Sequence, residues 1–132
     1  MTLDGAPVKV SEALPKRRRL RASGDVKRVY TEGRRYQGRL LTAFVRRNEL
    51  PEHRLGVTAS KKAVGGAVER NRAKRLMREL FRRNTVQMSS LRLNYDWVLN
   101  AKRSLLAAGL ELRFNEFRNI IAEVARDERR GV

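Results

Sequence analysis

Cysteine is absent from the sequence, and no stretch approaches the roughly 20 consecutive apolar residues of a transmembrane helix. The first absence excludes disulfides, thiolate nucleophiles, iron–sulfur clusters and cysteine-ligated zinc. The second absence argues against a membrane partner. Because the N-terminus also has no apolar signal-peptide run, the sequence predicts a cytoplasmic protein.

Groups that could carry acid–base or metal-dependent catalysis are also scarce. His53 is the only histidine, and it lies beside Pro51 in a predicted turn, which is typical of an exposed loop residue. The four aspartates are scattered along the chain, whereas a metal-dependent nuclease needs clustered carboxylates. Gly65 and Gly66 precede a helix, but the Walker phosphate-binding pattern is missing. We therefore expect no catalytic residue, no protein-bound metal and no nucleotide hydrolysis.

What the sequence has in excess is positive charge. The chain carries 31 lysines and arginines against 14 aspartates and glutamates, which gives a net charge of +17 in 132 residues. Such an excess predicts a polyanionic partner, of which nucleic acid is the first candidate. A hydrophobic content of 41% is enough to build a core, and the length suits one compact domain.

The N-terminal segment is expected to lie outside that domain. Residues 1–15 contain one glycine and two prolines and show no hydrophobic period, which predicts a disordered extension. The folded domain is then expected to span residues 16–129. Its first four residues, Lys16 to Arg19, are all positively charged. This run is either a solvated basic arm or a contact for phosphate groups.

Hydrophobic periodicity divides the remaining chain into helices and strands. The first helix is predicted to begin with Ser23 as its N-cap and to close with Gly33 in a left-handed conformation. The segment 61–66 is basic and contains glycine, the segment 85–94 is predicted to be a loop, and a short helical turn is expected near Ser104. The predicted elements are helix 23–32, strands 34–37, 41–46 and 55–60, helix 67–84, strand 95–100 and helix 112–129.

The helix predicted over residues 67–84 has one apolar and one basic side. Its apolar side carries Ala73, Leu76, Met77, Leu80 and Phe81. Its basic side carries Asn71, Lys74, Arg75, Arg78 and Arg82, with Arg72 at the edge. Only Glu69 and Glu79 are nearby acids, so the positive charges repel one another instead of pairing along the helix. Arginine forks bridge phosphate oxygens and asparagine bonds bases or sugars, so this side favours a folded RNA as the ligand.

The same segment resembles a known signature. Ser60-Lys61-Lys62, a glycine-containing spacer and then Glu69-Arg70-Asn71-Arg72-Ala73-Lys74-Arg75-Leu76 closely resemble the motif of the bacterial ribonuclease P protein subunit. The resemblance covers residues 16–126. Further matching segments are Arg19-Leu20, Ser23 to Asp25, Gly33, Leu55-Gly56-Val57 and Tyr95-Asp96-Trp97-Val98-Leu99 followed by Ala101.

The resemblance implies a specific fold. It is a single α+β domain in the order α-β-β-β-α-β-α, with a four-stranded mixed sheet and the two-layer architecture of a ribosomal protein. The helices and strands predicted above fit this order. The resemblance also implies a left-handed βαβ crossover around the signature helix, although such crossovers are right-handed in nearly all proteins.

The resemblance further implies a function in RNA processing. An RNA subunit would be the catalyst of the ribonuclease P holoenzyme and would cleave precursor tRNA to release its 5′ leader, with Mg²⁺ bound mainly by the RNA. This protein would bind both RNAs as an accessory subunit, with no obligatory protein partner. The residues that the resemblance places against the RNA subunit are Lys62, Arg70, Asn71, Arg72, Lys74, Arg75 and Arg78.

For the leader, the resemblance implies a cleft between the first helix and the sheet. The cleft would be lined by Val26, Tyr30, Phe44, Thr58 and Ser60, with Lys61 at its edge. Family members typically carry phenylalanine where this chain has Val26, so one platform for base stacking is missing here. Aromatic residues at helical or strand spacing are often core residues, and that alternative stays open for Tyr30 and Phe44. Trp97 and Phe81 are predicted to be core residues.

Two other functions are compatible with parts of the sequence. A ribosomal or other structural RNA-binding protein would share the charge, but it would need neither a leader-sized cleft nor the Arg70-Asn71-Arg72 spacing. A nuclease whose catalyst is the protein itself is disfavoured, because the acid and base groups it would need are missing.

Overall fold

The computed structural model describes residues 14–131 and shows a four-stranded sheet with helices on both faces. The chain begins with a 3-10 turn at Lys16–Arg18. The strands are β1 (Arg34–Gln37), β2 (Leu41–Arg47), β3 (Arg54–Thr58) and β4 (Tyr95–Ala101). The helices are α1 (Ser23–Glu32), α2 (Lys61–Val64), α3 (Ala67–Arg83), α4 (Thr85–Met88), α5 (Ser104–Ala107) and α6 (Leu110–Arg129). No helix in this part of the chain has the length and apolarity needed to cross a membrane.

The sheet is mixed, with the strand order β1-β2-β4-β3. Strand β2 pairs antiparallel with both β1 and β4, whereas β3 pairs parallel with β4. A parallel pair needs a crossover connection, and α2, α3 and α4 together supply it. These pairings confirm the predicted α+β class and the predicted order of the main elements. Residues 1–13 of the expected N-terminal extension lie outside the described residues, whereas Leu14 packs against the core.

The main core lies between the sheet and helices α3 and α6. Trp97 of β4 is fully buried at its centre. The Trp97 ring meets Phe81 of α3 edge-on at 6.5 Å between ring centroids and Phe117 of α6 at 5.8 Å. Such edge-to-face aromatic pairs add stabilisation beyond the area they bury. The structure thus confirms that Trp97 and Phe81 are core residues.

Among the described residues, α1 is the helix that covers the opposite face of the sheet, and this face carries a second, smaller cluster. Leu20, Val29 of α1 and Val98 of β4 are its buried members. Because only one short helix covers this face, part of it stays open to solvent. The half-buried side chains Val26, Tyr30 and Phe44 lie at the border of the cluster.

An ion pair fixes α1 and β3 to the centre of the sheet. Arg54 donates to both carboxylate oxygens of Asp96, with Nε to Oδ1 at 2.8 Å and Nη2 to Oδ2 at 2.7 Å. The Asp96 side chain is only 2% exposed, and its Oδ1 also accepts from Asn48 at 2.9 Å. Arg54 Nη1 lies 3.9 Å from Asp25 in the first turn of α1. The guanidinium therefore links the helix to two neighbouring strands.

The ends of α1 differ from the prediction in their chemistry. The helix begins at Ser23 itself, and Ala22 stands at the N-cap without a side-chain hydrogen bond. Gly33 is extended, with φ −82° and ψ 166°, so it does not close the helix in the left-handed region. A Cβ at this position would clash with the carbonyl oxygen of Val29 and lie 3.0 Å from that of Val45. Glycine is needed at residue 33 because the backbone passes close to β2.

Two connecting segments, of which 85–94 was predicted to be a loop, contain short helices. Within residues 61–66, Ser60 Oγ accepts from the backbone N–H of Ala63 at 3.0 Å and so caps α2. Within residues 85–94, α4 follows α3 directly, and Asn84 between them is fully buried. Asn84 Nδ2 donates to the carbonyl of Leu80, and its Oδ1 accepts from Arg118 of α6. Single turns of this length have too few residues to show a hydrophobic period.

The prediction that His53 is an exposed loop residue is wrong, because its side chain is only 8% exposed. Its Nδ1 accepts from the backbone N–H of Tyr95 at 3.0 Å and from the indole N–H of Trp97 at 3.2 Å. A turn in the sequence gave no sign that the ring folds back onto β4. His53 is therefore a structural acceptor for two buried donors.

This geometry predicts a pH dependence of stability. Burial lowers the pKa of His53 below its usual value. A backbone hydrogen bond at Met88 opposes this effect, whereas the positive charge of Arg18 adds to it. The unfolded chain therefore takes up the proton first, so stability is complete above about pH 6.5 and falls as the pH drops below that value. Denaturant midpoints measured at pH 7.5 and 5.5 through Trp97 fluorescence should show the loss.

The control for this prediction is His53→Asn, because an asparagine oxygen can take the place of Nδ1 without titrating. We expect the variant to be less stable than the natural protein at pH 7.5 but to lose little more at pH 5.5. An equal pH dependence in both proteins would assign the loss to other groups.

Candidate nucleic-acid interface

Val26 and Tyr30 of α1 and Phe44 of β2 are half-buried and pack around the small cluster on the sheet face that α1 covers. Thr58 of β3 is joined to Tyr30 through Asn100, and the surface between these side chains is called the cleft below. The rings of Tyr30 and Phe44 meet edge-on with centroids 4.8 Å apart. Both rings are half-buried, so each packs on the small cluster and also keeps a surface toward solvent. The two interpretations left open for these aromatic residues, core packing and base stacking, are therefore compatible with one another.

Asn100 of β4 joins the cleft, although sequence reasoning did not single it out. It lies opposite Thr42 of β2 and Thr58 of β3 in the sheet register. Its Oδ1 accepts from Tyr30 Oη at 2.8 Å and from Thr58 Oγ1 at 2.6 Å. The available signal was a polar residue inside an otherwise buried strand, since such a group normally requires hydrogen-bond partners.

Ser60 and Lys61 lie at the edge of the cleft rather than inside it. Both follow β3 directly, and both are exposed. The Ser60 hydroxyl accepts the capping hydrogen bond of α2, so it is partly committed to the fold. Lys61 begins α2, and its exposed ammonium carries positive charge next to the end of β3 that holds Thr58.

The basic side of α3 is solvent-exposed, as predicted. Asn71, Arg75 and Arg78 are exposed, while Lys74 and Arg70 are half-buried at its border. The Nε atom of Arg70 is buried and has no hydrogen-bond partner among the described residues. A buried donor without a partner is costly, so a ligand oxygen at this position would be favourable. Lys62 of α2 is exposed and lies on the helical turn that precedes α3.

Arg72 faces away from these residues, toward α5 and α6. Its Nη1 donates to the carbonyl of Leu106 at 3.2 Å. Arg113 of α6 donates through Nε to the carbonyl of Leu105. Burial lowers the pKa of Arg113, and the positive charge of Arg72 lowers it further. Two guanidinium groups therefore lie close together, which is a favourable arrangement for binding an anion.

A cavity of about 520 Å³ extends the basic surface toward the N-terminal segment. Its floor is Leu55, Gly56 and Val57 of the edge strand β3. The charged residues in its wall are Arg19, Arg21, Arg75, Arg78, Glu79 and Arg82. Glu79 pairs with Arg82 at 2.8 Å, so the remaining arginines give the cavity a positive potential.

The basic run at the N-terminus is neither fully solvated nor fully available to a ligand. Arg17 pairs with Glu52, with Nε to Oε1 at 2.7 Å. Arg18 donates to the carbonyl of His53 at 2.9 Å, and Arg19 donates to that of Leu14 at 2.7 Å. These bonds anchor the 3-10 turn to the body of the protein. The sequence left open a solvated basic arm, whereas the structure shows three of its four residues in hydrogen bonds to the rest of the protein.

A family model described as Ribonuclease P matches residues 14–125. Among curated proteins, the ribonuclease P protein component of Clostridium botulinum is 38% identical over 89 residues, which cover 67% of this chain and 78% of that protein. The ribonuclease P protein component of Coxiella burnetii is 31% identical over 113 residues, which cover 86% of this chain and 90% of that protein.

Solved structures show the same relationship. The ribonuclease P protein of Staphylococcus aureus superposes with a TM-score of 0.67 at 27% identity and covers 82% of this chain and 94% of its own. The protein from Thermotoga maritima gives a TM-score of 0.67 at 27% identity and covers 78% of this chain and 94% of its own. Family model, sequence and fold agree, and the chain therefore belongs to the family of ribonuclease P protein components.

Proposed function

We propose that this protein binds the RNA subunit of ribonuclease P and the 5′ leader of precursor tRNA, and that the RNA subunit cleaves the substrate. The observation that carries the proposal is that residues of the edge strand β3 contribute to both surfaces. Its residue Thr58 lies in the cleft, while Gly56 and Val57 line the arginine-rich cavity beside α3. One strand thus separates a cleft with aromatic walls from a basic surface, so two RNA segments can lie side by side.

The RNA subunit is the proposed ligand of the basic surface. Its phosphates would meet the side chains of Lys62, Arg70, Asn71, Arg72, Lys74, Arg75 and Arg78. Positive charge at this surface offsets the repulsion between two RNA backbones, so substrate affinity should rise without any chemical step on the protein. The proposed RNA-binding domain comprises residues 16–129.

The leader is the proposed ligand of the cleft. A single-stranded nucleic acid binds through bases that stack on aromatic rings and through charge that follows its backbone. Tyr30 and Phe44 supply the rings, and Lys61 supplies charge at the edge. Val26 offers an aliphatic surface and no ring, so the cleft holds two aromatic platforms. Thr58 and Ser60 add hydroxyl groups along the same path.

The side chains of residues 14–131 do not fit a Mg²⁺ site. Mg²⁺ requires several oxygen ligands in octahedral geometry, usually including carboxylates. Residues 14–131 contain no group of three or more histidine, cysteine, aspartate or glutamate side chains that could hold a metal ion. On the basic face, Glu79 is already paired with Arg82 and Arg83. We therefore assign the metal requirement of the reaction to the RNA.

Phe44→Ala is expected to weaken binding of precursor tRNA by about tenfold, because stacking of one base on an aromatic ring contributes roughly 1 to 3 kcal/mol. Mature tRNA has no leader, so its affinity should stay unchanged. The matched control is Phe114→Ala, since Phe114 is also half-buried but lies on α6. Equilibrium binding of the holoenzyme to both tRNA forms measures the effect, and equal losses for both would remove Phe44 from the leader path.

The reconstituted reaction tests the proposed function as a whole. Protein stripped of nucleic acid, a ribonuclease P RNA and precursor tRNA are mixed, and leader release is followed with each component omitted in turn. We expect no cleavage by the protein alone and faster cleavage by the RNA when the protein is present. A structural RNA-binding protein would leave the RNA-only rate unchanged. Robust cleavage by the protein alone would establish the protein as the nuclease.

A further inference from the structure

The side-chain amide of Asn100 is held in one orientation by two hydroxyl groups. Oδ1 accepts from Tyr30 Oη at 2.8 Å and from Thr58 Oγ1 at 2.6 Å. These distances fit O–H···O bonds, typically about 2.7 to 2.8 Å, better than bonds to nitrogen, typically about 2.9 to 3.0 Å. The oxygen of the amide therefore faces the two hydroxyls, and its nitrogen points elsewhere.

The nitrogen remains available for a ligand. Nδ2 of Asn100 has no hydrogen-bond partner among residues 14–131, and the residue is half-buried. Val98 of β4 lies opposite Phe44 in the sheet register, and Asn100 follows it two residues further along β4. Asn100 therefore lies on the same sheet face as Phe44. Two residues of a strand span about 7 Å. Asn100 is thus close to the stacking platform, and its amide N–H groups have no acceptor among the described residues.

We propose that Asn100 is a specificity-determining residue that donates a hydrogen bond to an acceptor atom on one leader base. The inference rests on the proposed function, because it assumes that the leader occupies the cleft. Single-stranded RNA is recognised by stacking of unpaired bases combined with hydrogen bonds to their edges. Phe44 and Tyr30 provide stacking that tolerates any base. A fixed amide donor instead favours a base that places an acceptor, a ring nitrogen or a carbonyl oxygen, opposite the N–H group.

The orientation of the donor depends on its two partners. If Oδ1 were not engaged, the amide could rotate and offer its oxygen instead, and donor and acceptor bases would then be bound equally well. Tyr30 therefore has two roles, since its ring forms the platform and its hydroxyl positions Asn100. Thr58 is a positioning residue of the same kind.

The experiment combines Asn100→Ala with a set of precursor tRNAs that each carry one abasic leader nucleotide. With an intact leader, we expect the variant to bind about three- to tenfold more weakly, the usual effect of one hydrogen bond. With the one abasic position that removes the recognised base, natural and variant proteins should bind equally. A loss of the same size at every abasic position, or no loss with the intact leader, would overturn the inference.

Tyr30→Phe tests the positioning role without removing the ring. It should produce a smaller loss that disappears at the same abasic position, and a loss spread over all positions would contradict the inference. Asn119→Ala, at an exposed position of α6, is the matched control and should bind every precursor like the natural protein.

The design separates this inference from the proposed function. Mature tRNA and the RNA subunit alone should bind the Asn100→Ala protein unchanged, which also shows that the variant is folded. If the natural protein binds precursor and mature tRNA equally, the proposed function fails. If it prefers the precursor but Asn100→Ala shows no position dependence, only the inference about Asn100 fails.

Discussion

Arg54→Met is expected to lower the free energy of unfolding by about 3 kcal/mol, the range observed when one partner of a buried ion pair is removed. Asp96 is 2% exposed, and without the guanidinium its carboxylate would retain only the hydrogen bond from Asn48. Methionine fills a similar volume, so the loss reports the unpaired charge and not a cavity. In a domain of this size the melting temperature should fall by roughly 10 °C.

The control for Arg54→Met is Arg35→Met, which removes an exposed arginine from β1. Its melting temperature should stay within about 2 °C of that of the natural protein, because surface substitutions rarely change stability by more than roughly 0.5 kcal/mol. Equal stability of both variants would show that Asp96 is solvated or compensated in another way. Arg54 also contacts Asp25 of α1, so the variant should loosen α1 over the cleft. The affinity for precursor tRNA should therefore fall more than the affinity for mature tRNA.

The main helices and strands were predictable because each has a strong period. In α3 the apolar side chains repeat every three or four residues, and the structure buries Ala73, Met77, Leu80 and Phe81 accordingly. The order of the strands within the sheet, β1-β2-β4-β3, was not predicted, since periodicity does not specify which strands are neighbours. The resemblance carried by the Arg70-Asn71-Arg72 signature implied a four-stranded mixed sheet, and the solved structures of the family agree with that fold.

The features that sequence reasoning missed depend on contacts between distant parts of the chain. His53 is buried because Tyr95 and Trp97, more than 40 residues away, donate to its ring. Asn100 becomes part of the cleft only because Tyr30, 70 residues earlier, reaches it. Local composition indicates neither contact. The segment around His53 also suits a solvated turn, and the segment around Asn100 also suits an ordinary strand.

The basic surface leads to the second large effect, on binding of the RNA subunit. The triple variant Arg72→Ala, Arg75→Ala, Arg78→Ala should leave the fold intact, since all three side chains are exposed. Each lost phosphate contact should lower the slope of log affinity against log salt by roughly one unit. The loss of three contacts should lower this slope by about three units. If the two proteins bind equally at about 1 M salt, the variant then binds roughly a hundredfold more weakly at physiological salt.

The matched control for the triple variant removes charge from the far end of α6. Arg126→Ala, Arg129→Ala, Arg130→Ala takes away three exposed arginines as well, so the net charge of both variants is the same. If binding depended only on net charge, both variants would lose equal affinity and equal slope. If the surface around α3 contacts the RNA phosphates, only the first variant should lose three units of slope. Filter binding or fluorescence titration between about 0.05 and 0.2 M salt, where affinities that depend on phosphate contacts change steeply, distinguishes these outcomes because slope and affinity must change together.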